Sequence, residues 1–121
     1  MMTLRPVSEW LALLDDGDGP LTARLKRVHP DVPYFADVIA MYRAVLGRFG
    51  ERFAFDRPVG LVRAPGRVNL LGMHVDHRGG AVNPIAVRGT ALVVAPRDDD
   101  RVVLADVNRA LFPDGGFSIS G

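Results

Sequence analysis

Residues 35–49 carry the clearest rhythm in the chain, with Phe35, Val38, Ile39, Tyr42, Val45, Leu46 and Phe49 recurring at spacings of three and four. That period puts them on one face of an α-helix, and Gly50 is the expected stop. Two shorter helices are expected before it. Ser8 is placed to cap one that buries Trp10, Leu11, Leu13 and Leu14, and Pro20 suits the first turn of another carrying Leu21, Leu25 and Val28. After Asp56-Arg57-Pro58 the period changes. Residues 59–64 and 68–71 read as strands separated by a tight connection at Pro65-Gly66, and Gly72 closes the second. Residues 90–95 and 101–107 flank the polar run Pro96-Arg97-Asp98-Asp99-Asp100 and read as the two arms of a hairpin. The tail turns at Pro113-Asp114-Gly115-Gly116 and begins an alternating strand at Phe117, for which this reading supplies no partner.

Composition narrows the setting. The chain has 121 residues, 48% of them hydrophobic and 24% charged, which is the make-up of an ordinary globular chain able to bury a core. Its 15 Lys and Arg stand against 14 Asp and Glu, and neither half concentrates positive charge. Binding to nucleic acid or to an anionic membrane through bulk charge is therefore disfavoured. The absence of cysteine removes disulfides, thiolate catalysis and Cys-ligated zinc, and fits a reducing compartment, so a cytoplasmic location is expected. Glu9 and Asp15-Asp16 interrupt the apolar start, unlike a secretory signal. The charge-free run at residues 79–87 is far below the roughly 18 residues that span a bilayer. The acidic triplet at 98–100 lacks the spaced ligands, glycine and terminal Glu of an EF-hand and is expected to be a solvated turn.

Chemistry concentrates in residues 63–85, where polar groups sit among apolar strands and four glycines, Gly66, Gly72, Gly79 and Gly80. His74-x-Asp76-His77 is half of a metallohydrolase-like pattern. The first half is missing, because position 72 is Gly, and the remaining histidine, His29, lies in the helical region. No Gly-Lys pair and no Gly-x-Gly-x-x-Gly of a nucleotide site is present. Recognition of a polyhydroxylated ligand is the third possibility. A carboxylate accepts from neighbouring hydroxyls and an imidazole donates to another, and His74 and Asp76 would share a face if this stretch is extended.

Gly66-Arg67-Val68-Asn69-Leu70-Leu71-Gly72-Met73-His74-Val75-Asp76-His77-Arg78-Gly79-Gly80 resembles the galactokinase signature Gly-Arg-Val-Asn-Leu-Ile-Gly-Glu-His-Thr-Asp-Tyr-Asn-Gly-Gly of the GHMP small-molecule kinases, agreeing at ten of fifteen positions. Arg63-Ala64-Pro65 before it, the Asn-Pro-Ile-Ala-Val run from Asn83 after it and the amphipathic helix upstream fit the same family, so the similarity covers roughly residues 35–110. The resemblance implies an α+β fold, the N-terminal part of a GHMP-kinase domain of the ribosomal-protein-S5 domain 2-like type, with N-terminal helices followed by a mostly antiparallel sheet. It divides the chain into a helical extension at 1–34 and a partial galactokinase-like domain at 35–121. It also implies ATP-dependent phosphorylation of the anomeric hydroxyl of galactose or a related hexose. By position, Arg67 would sit beside the reacting hydroxyl as the catalytic residue, and His74 and Asp76 would hold sugar hydroxyls. Asn69, Gly72, Gly79 and Gly80 would shape the motif.

Two departures qualify the resemblance. Met73 stands where galactokinases have Glu, and His77 where they usually have Tyr, which is closer to the plant galacturonokinase run Ala-His-Ile-Asp-His-Gln-Gly-Gly. A Glu about 4 Å from a C6 carboxylate would cost about 1 to 4 kcal/mol at effective dielectrics from 80 to 20, and an apolar residue removes that repulsion. Met73 and His77, with Arg78, are thus expected to line the substrate pocket and to admit an acidic or C6-modified hexose. The family's Gly-Leu-Ser-Ser-Ser phosphate loop and its catalytic Asp are missing from these 121 residues. ATP and Mg²⁺ are expected in the full-length enzyme, neither is expected to bind fully here, and the chain alone is expected to be inactive. The expected partners are a small-molecule sugar and the C-terminal portion of the kinase, with no nucleic acid, membrane or resident metal. The alternatives are a non-catalytic sugar-binding or regulatory remnant of the family and, further off, a metal-dependent hydrolase.

Overall fold

The computed structural model describes residues 3–29, 32–71, 76–81 and 83–120, and the chain is α+β. In order, the elements are β1 (Arg5–Pro6), α1 (Val7–Asp15), α2 (Pro20–Val28), α3 (Phe35–Phe53), β2 (Pro58–Leu71), β3 (Asn83–Val94), β4 (Arg101–Leu104) and β5 (Gly115–Ser118), with short 3₁₀ turns at Val32–Tyr34 and Asp76–Arg78. The chain forms two compact units. One comprises residues 1–61 and 93–121, the other residues 62–92.

In the first unit, α3 supplies the scaffold. Val38, Tyr42, Leu46 and Gly50 are its buried positions, each four residues after the last along one stripe of the face that the spacing predicts. Helix α1 packs on α3. Val7 of α1, Leu46 of α3 and Val59 of β2 are the fully shielded side chains of this core, and Leu14 of α1 is nearly so. Trp10, Leu11 and Leu13 are only half-buried, so α1 buries less than its sequence suggests. Pro20 does open α2, with Gly19 before it, and Leu25 is buried while Val28 is exposed. The buried hydroxyl of Thr22 donates to the Asp16 carbonyl at 2.7 Å, tying α2 back to the end of α1.

Three local expectations change. Ser8 is not a cap: α1 begins two residues earlier, at Val7 after Pro6, and the Ser8 N–H donates to the Phe55 carbonyl at 3.0 Å. Helix α3 runs through Gly50 to Phe53 and ends at Ala54, which has φ +98°. Gly50 serves close packing instead, because a Cβ there would lie 2.4 Å from the Phe55 ring. Residues 58–71 form one uninterrupted strand through Pro65-Gly66, where two strands and a turn were expected.

Sheet pairing also differs. β1, β2 and β3 form one sheet in that order, with Arg5 opposite Val59 and Pro6 opposite Pro58 in antiparallel register. β4 does not pair with β3 across the polar loop. It pairs antiparallel with β5, Arg101 opposite Ser118 and Leu104 opposite Gly115, so the C-terminal strand has a partner after all. The loop at 98–100 explains part of this choice: Asp100 accepts from the hydroxyls of Ser118 and Ser120, and its carbonyl accepts from the Ile119 N–H at 2.7 Å. Those contacts draw β5 onto β4.

In the second unit, β3 crosses β2 closely at Gly89, where a Cβ would come within 1.9 Å of the Ala64 carbonyl oxygen. Only glycine fits there. Among the described residues of this unit, Ala91 is the buried apolar one, while Val62, Val68 and Leu70, on one face of β2, are exposed. No helix among the described residues is long and apolar enough to cross a membrane.

Candidate functional site

The polar segment picked out in the sequence occupies the end of β2, the 3₁₀ turn Asp76–Arg78 and the approach to β3. β2 brings Arg63, Arg67 and Asn69 to one face of the strand, because side chains two apart point the same way. Arg67 is exposed and its guanidinium makes no hydrogen bond or ion pair with the described residues, leaving its donor fork open to solvent and to a ligand. Asn69 is half-buried, and its Oδ1 is shielded from solvent with no donor among the described residues. Leaving an acceptor in that state costs on the order of 1–3 kcal/mol.

Asp76 opens the 3₁₀ turn, so the extended conformation that would have put it on one face with His74 does not reach it. His77 and Arg78 complete the turn and are exposed. Gly79 leaves it with φ +79°, a left-handed conformation that L side chains rarely adopt, which gives this motif glycine a direct backbone reason. Gly80 follows, exposed. Gly72, Met73 and His74 lie outside the described residues. Among the described residues, no group of three His, Cys, Asp or Glu side chains gathers in a way that could hold a metal ion.

A second polar cluster, in the first unit, escaped the sequence reading. Arg48 of α3 donates to Asp114 at 2.5 Å and to the Asp106 carbonyl at 3.2 Å, and Arg52 Nε donates to the other Asp114 oxygen at 3.2 Å. Asp114 is consequently held below the usual carboxylate range, first by the Arg48 hydrogen bond. Arg97 grips Asp99 through Nε and a terminal nitrogen, at 2.7 and 2.5 Å, and this pairing lowers the Asp99 pKa to about 2. Arg48 and Asp114 lie 66 residues apart in the chain. No local signal could have revealed them.

Comparison with known proteins bears on the first site. Residues 47–97 match the family model of the galactokinase galactose-binding signature. A galactokinase of Halalkalibacterium halodurans is 42% identical over 73 residues, which is 58% of this chain and 18% of that protein. A galactokinase of Streptomyces coelicolor is 42% identical over 66 residues, 52% of this chain and 17% of its own length. One from Candida parapsilosis is 30% identical over 87 residues, 69% of this chain and 17% of its own length. The chain therefore spans less than a fifth of the curated relatives it matches. No solved structure matches it.

Proposed function

We propose that this chain, which carries the galactokinase-family signature and matches the N-terminal portion of that family, forms the sugar-binding part of an ATP-dependent sugar-1-kinase. The observation that carries the reading is the signature itself: residues 66–80 agree with it at ten of fifteen positions and lie within the 47–97 match. The open guanidinium of Arg67 and the left-handed Gly79 are compatible with such a motif. On this reading the α+β chain belongs to a GHMP-kinase domain of the ribosomal-protein-S5 domain 2-like type, and the protein acts in the cytoplasm.

Each residue has a defined task in the proposal. Asp76 accepts from two neighbouring sugar hydroxyls and His74 donates to a third, so an analogue lacking one hydroxyl leaves a polar group unpaired and is rejected. Arg67 lies beside the anomeric hydroxyl, where its fixed positive charge favours the anion of a nearby carboxylate and stabilises charge developing during transfer. Phosphoryl transfer depends mainly on positioning and electrostatics. The phosphate-cradling loop and the catalytic Asp have no counterpart in these 121 residues, so transfer is assigned to a longer polypeptide that contains them. The exposed Val62, Val68 and Leu70 of β2 give such a remainder an apolar surface to cover.

Met73, His77 and Arg78 direct the choice of sugar toward galacturonate or another C6-modified hexose. Without the family's Glu, the pocket loses a repulsion worth about 1 to 4 kcal/mol against a C6 carboxylate. The test is phosphorylation of galactose and of galacturonate with Mg²⁺ and ATP by the full-length protein. Formation of either sugar 1-phosphate supports the kinase reading, and a strong preference for galactose sinks the galacturonate assignment. Sugar binding with no turnover would identify a regulatory relative.

A further inference from the structure

A cleft of about 430 Å³ opens in the first unit between the last turns of α3 and the paired strands β4 and β5, within the range of about 300–1,000 Å³ usual for small-molecule sites. Arg52, Arg97, Arg101 and Asp114 line it with Gly115 and Gly116. We propose that this cleft binds a small phosphate-bearing anion, with the Arg101 guanidinium as its principal contact. The lining shares no residue with the sugar motif, and the proposal does not rest on the kinase reading.

Three observations carry it. The first is the charge balance. Asp114 is the carboxylate in the lining, and it is already shared between Arg48 and Arg52. Asp99 is already taken up by both ends of the Arg97 fork. The nearby Asp100 is occupied by the hydroxyls of Ser118 and Ser120. Among the described lining residues, the three guanidiniums of Arg52, Arg97 and Arg101 thus stand against the carboxylate of Asp114, and positive charge is in excess within the cleft.

The second observation is Arg101 itself. Its backbone N–H donates to Asp99, but its exposed guanidinium makes no hydrogen bond or ion pair with the described residues. A planar fork of donors without a carboxylate, at the wall of a cleft, suits bidentate recognition of a phosphate group. Arg52 adds to this: it reaches Asp114 through Nε, which leaves its terminal nitrogens for a ligand, while its guanidinium lies 5.1 Å from the Phe53 ring centroid.

The third is the glycine wall. Val103 pairs with Gly116 and Leu104 with Gly115, so the β5 side of the cleft carries no side chain at these two positions. A Cβ at Gly115 would meet nothing within 4 Å, which marks open space there. At Gly116 it would lie 2.5 Å from the Val102 carbonyl oxygen, so that position excludes a side chain.

The test is titration of the 121-residue chain with inorganic pyrophosphate, followed calorimetrically at low and at raised ionic strength. Saturable one-to-one binding is expected, weakened by salt and reduced about fivefold or more by Arg101→Ala, with Arg101→Lys recovering part of the loss. Arg24→Ala, outside the cleft, should leave binding unchanged. Because Arg101 is exposed, its variants should keep the parent Tm, which separates lost binding from lost folding. No saturable binding, equal affinity in Arg101→Ala, or binding to vesicles of anionic lipid without binding to pyrophosphate would each overturn the proposal.

Discussion

The indole N–H of Trp10 donates to the carbonyl of Val59 at 2.9 Å, so the first helix holds the foot of the strand that leads into the matched signature. Val59 is fully buried, and Arg5 of β1 lies opposite it. The strand is therefore fixed at its start by a side-chain donor, a neighbouring strand and the core together. Trp10→Phe keeps most of the apolar contact and removes the donor. Chemical denaturation should show a loss of about 0.5–1.5 kcal/mol, and a change within error would mean that solvent replaces the indole without cost.

Ala54 ends α3 with φ +98° and ψ 144°, a conformation that costs a residue bearing a Cβ about 1–3 kcal/mol. Its N–H still donates to the Gly50 carbonyl at 2.9 Å, so the helix end is satisfied despite the strain. Ala54→Gly should raise stability by about 1 kcal/mol, read as a higher Tm. An unchanged or lower Tm would show that the gain in the folded state is cancelled by the greater freedom of glycine in the unfolded chain.

This helix end shows what local sequence can and cannot convey. The stripe Val38, Tyr42, Leu46 is set by spacing alone, and Pro20 marks the start of α2 through its fixed φ and missing N–H; both were legible. Gly50 was read as a stop because glycine favours helix ends, yet its use is set by Phe55, a contact that exists only after folding. Pro65-Gly66 likewise carries a turn signal but lies within β2. The partner of β4 was hidden for the same reason: pairing with β5 depends on Asp100 and the serines at 118 and 120, far apart in a pattern that otherwise favours the nearer strand. In the motif, the glycine at 79 was legible through its left-handed requirement, whereas the extended geometry assumed for Asp76 gave way to a 3₁₀ turn.

The Oδ1 of Asn69, without a donor among the described residues, gives a third prediction. Asn69→Val replaces a polar group lacking a donor with a β-branched residue suited to a strand. Stability of the chain without ligand should hold or rise by about 1 kcal/mol. A clear drop in Tm would show that Asn69 has a partner in solution.

Acid should loosen the C-terminal part of the first unit. Asp99, gripped by Arg97, has its pKa lowered to about 2, and Asp114 is lowered by Arg48. A carboxylate whose folded pKa lies below its unfolded value, about 3.9, stabilises above that pH and loses the contribution as pH falls toward the folded pKa. Tm should therefore decline between about pH 4 and pH 2. Carboxyl NMR should place the Asp99 midpoint near 2, and Arg97→Ala should return it toward about 3.9. A midpoint near 3.9 in the parent chain would show that the pair does not persist in solution.

Sugar recognition by residues 66–80 is the central claim, and it is tested most directly by titrating the ¹⁵N-labelled chain with galactose and with galacturonate. The account predicts saturable amide shift changes centred on the segment from Arg67 to Gly80 with at least one of the two sugars, abolished by Asp76→Ala in a variant of unchanged Tm. Absence of saturable changes with both sugars, or changes that survive Asp76→Ala, would contradict it.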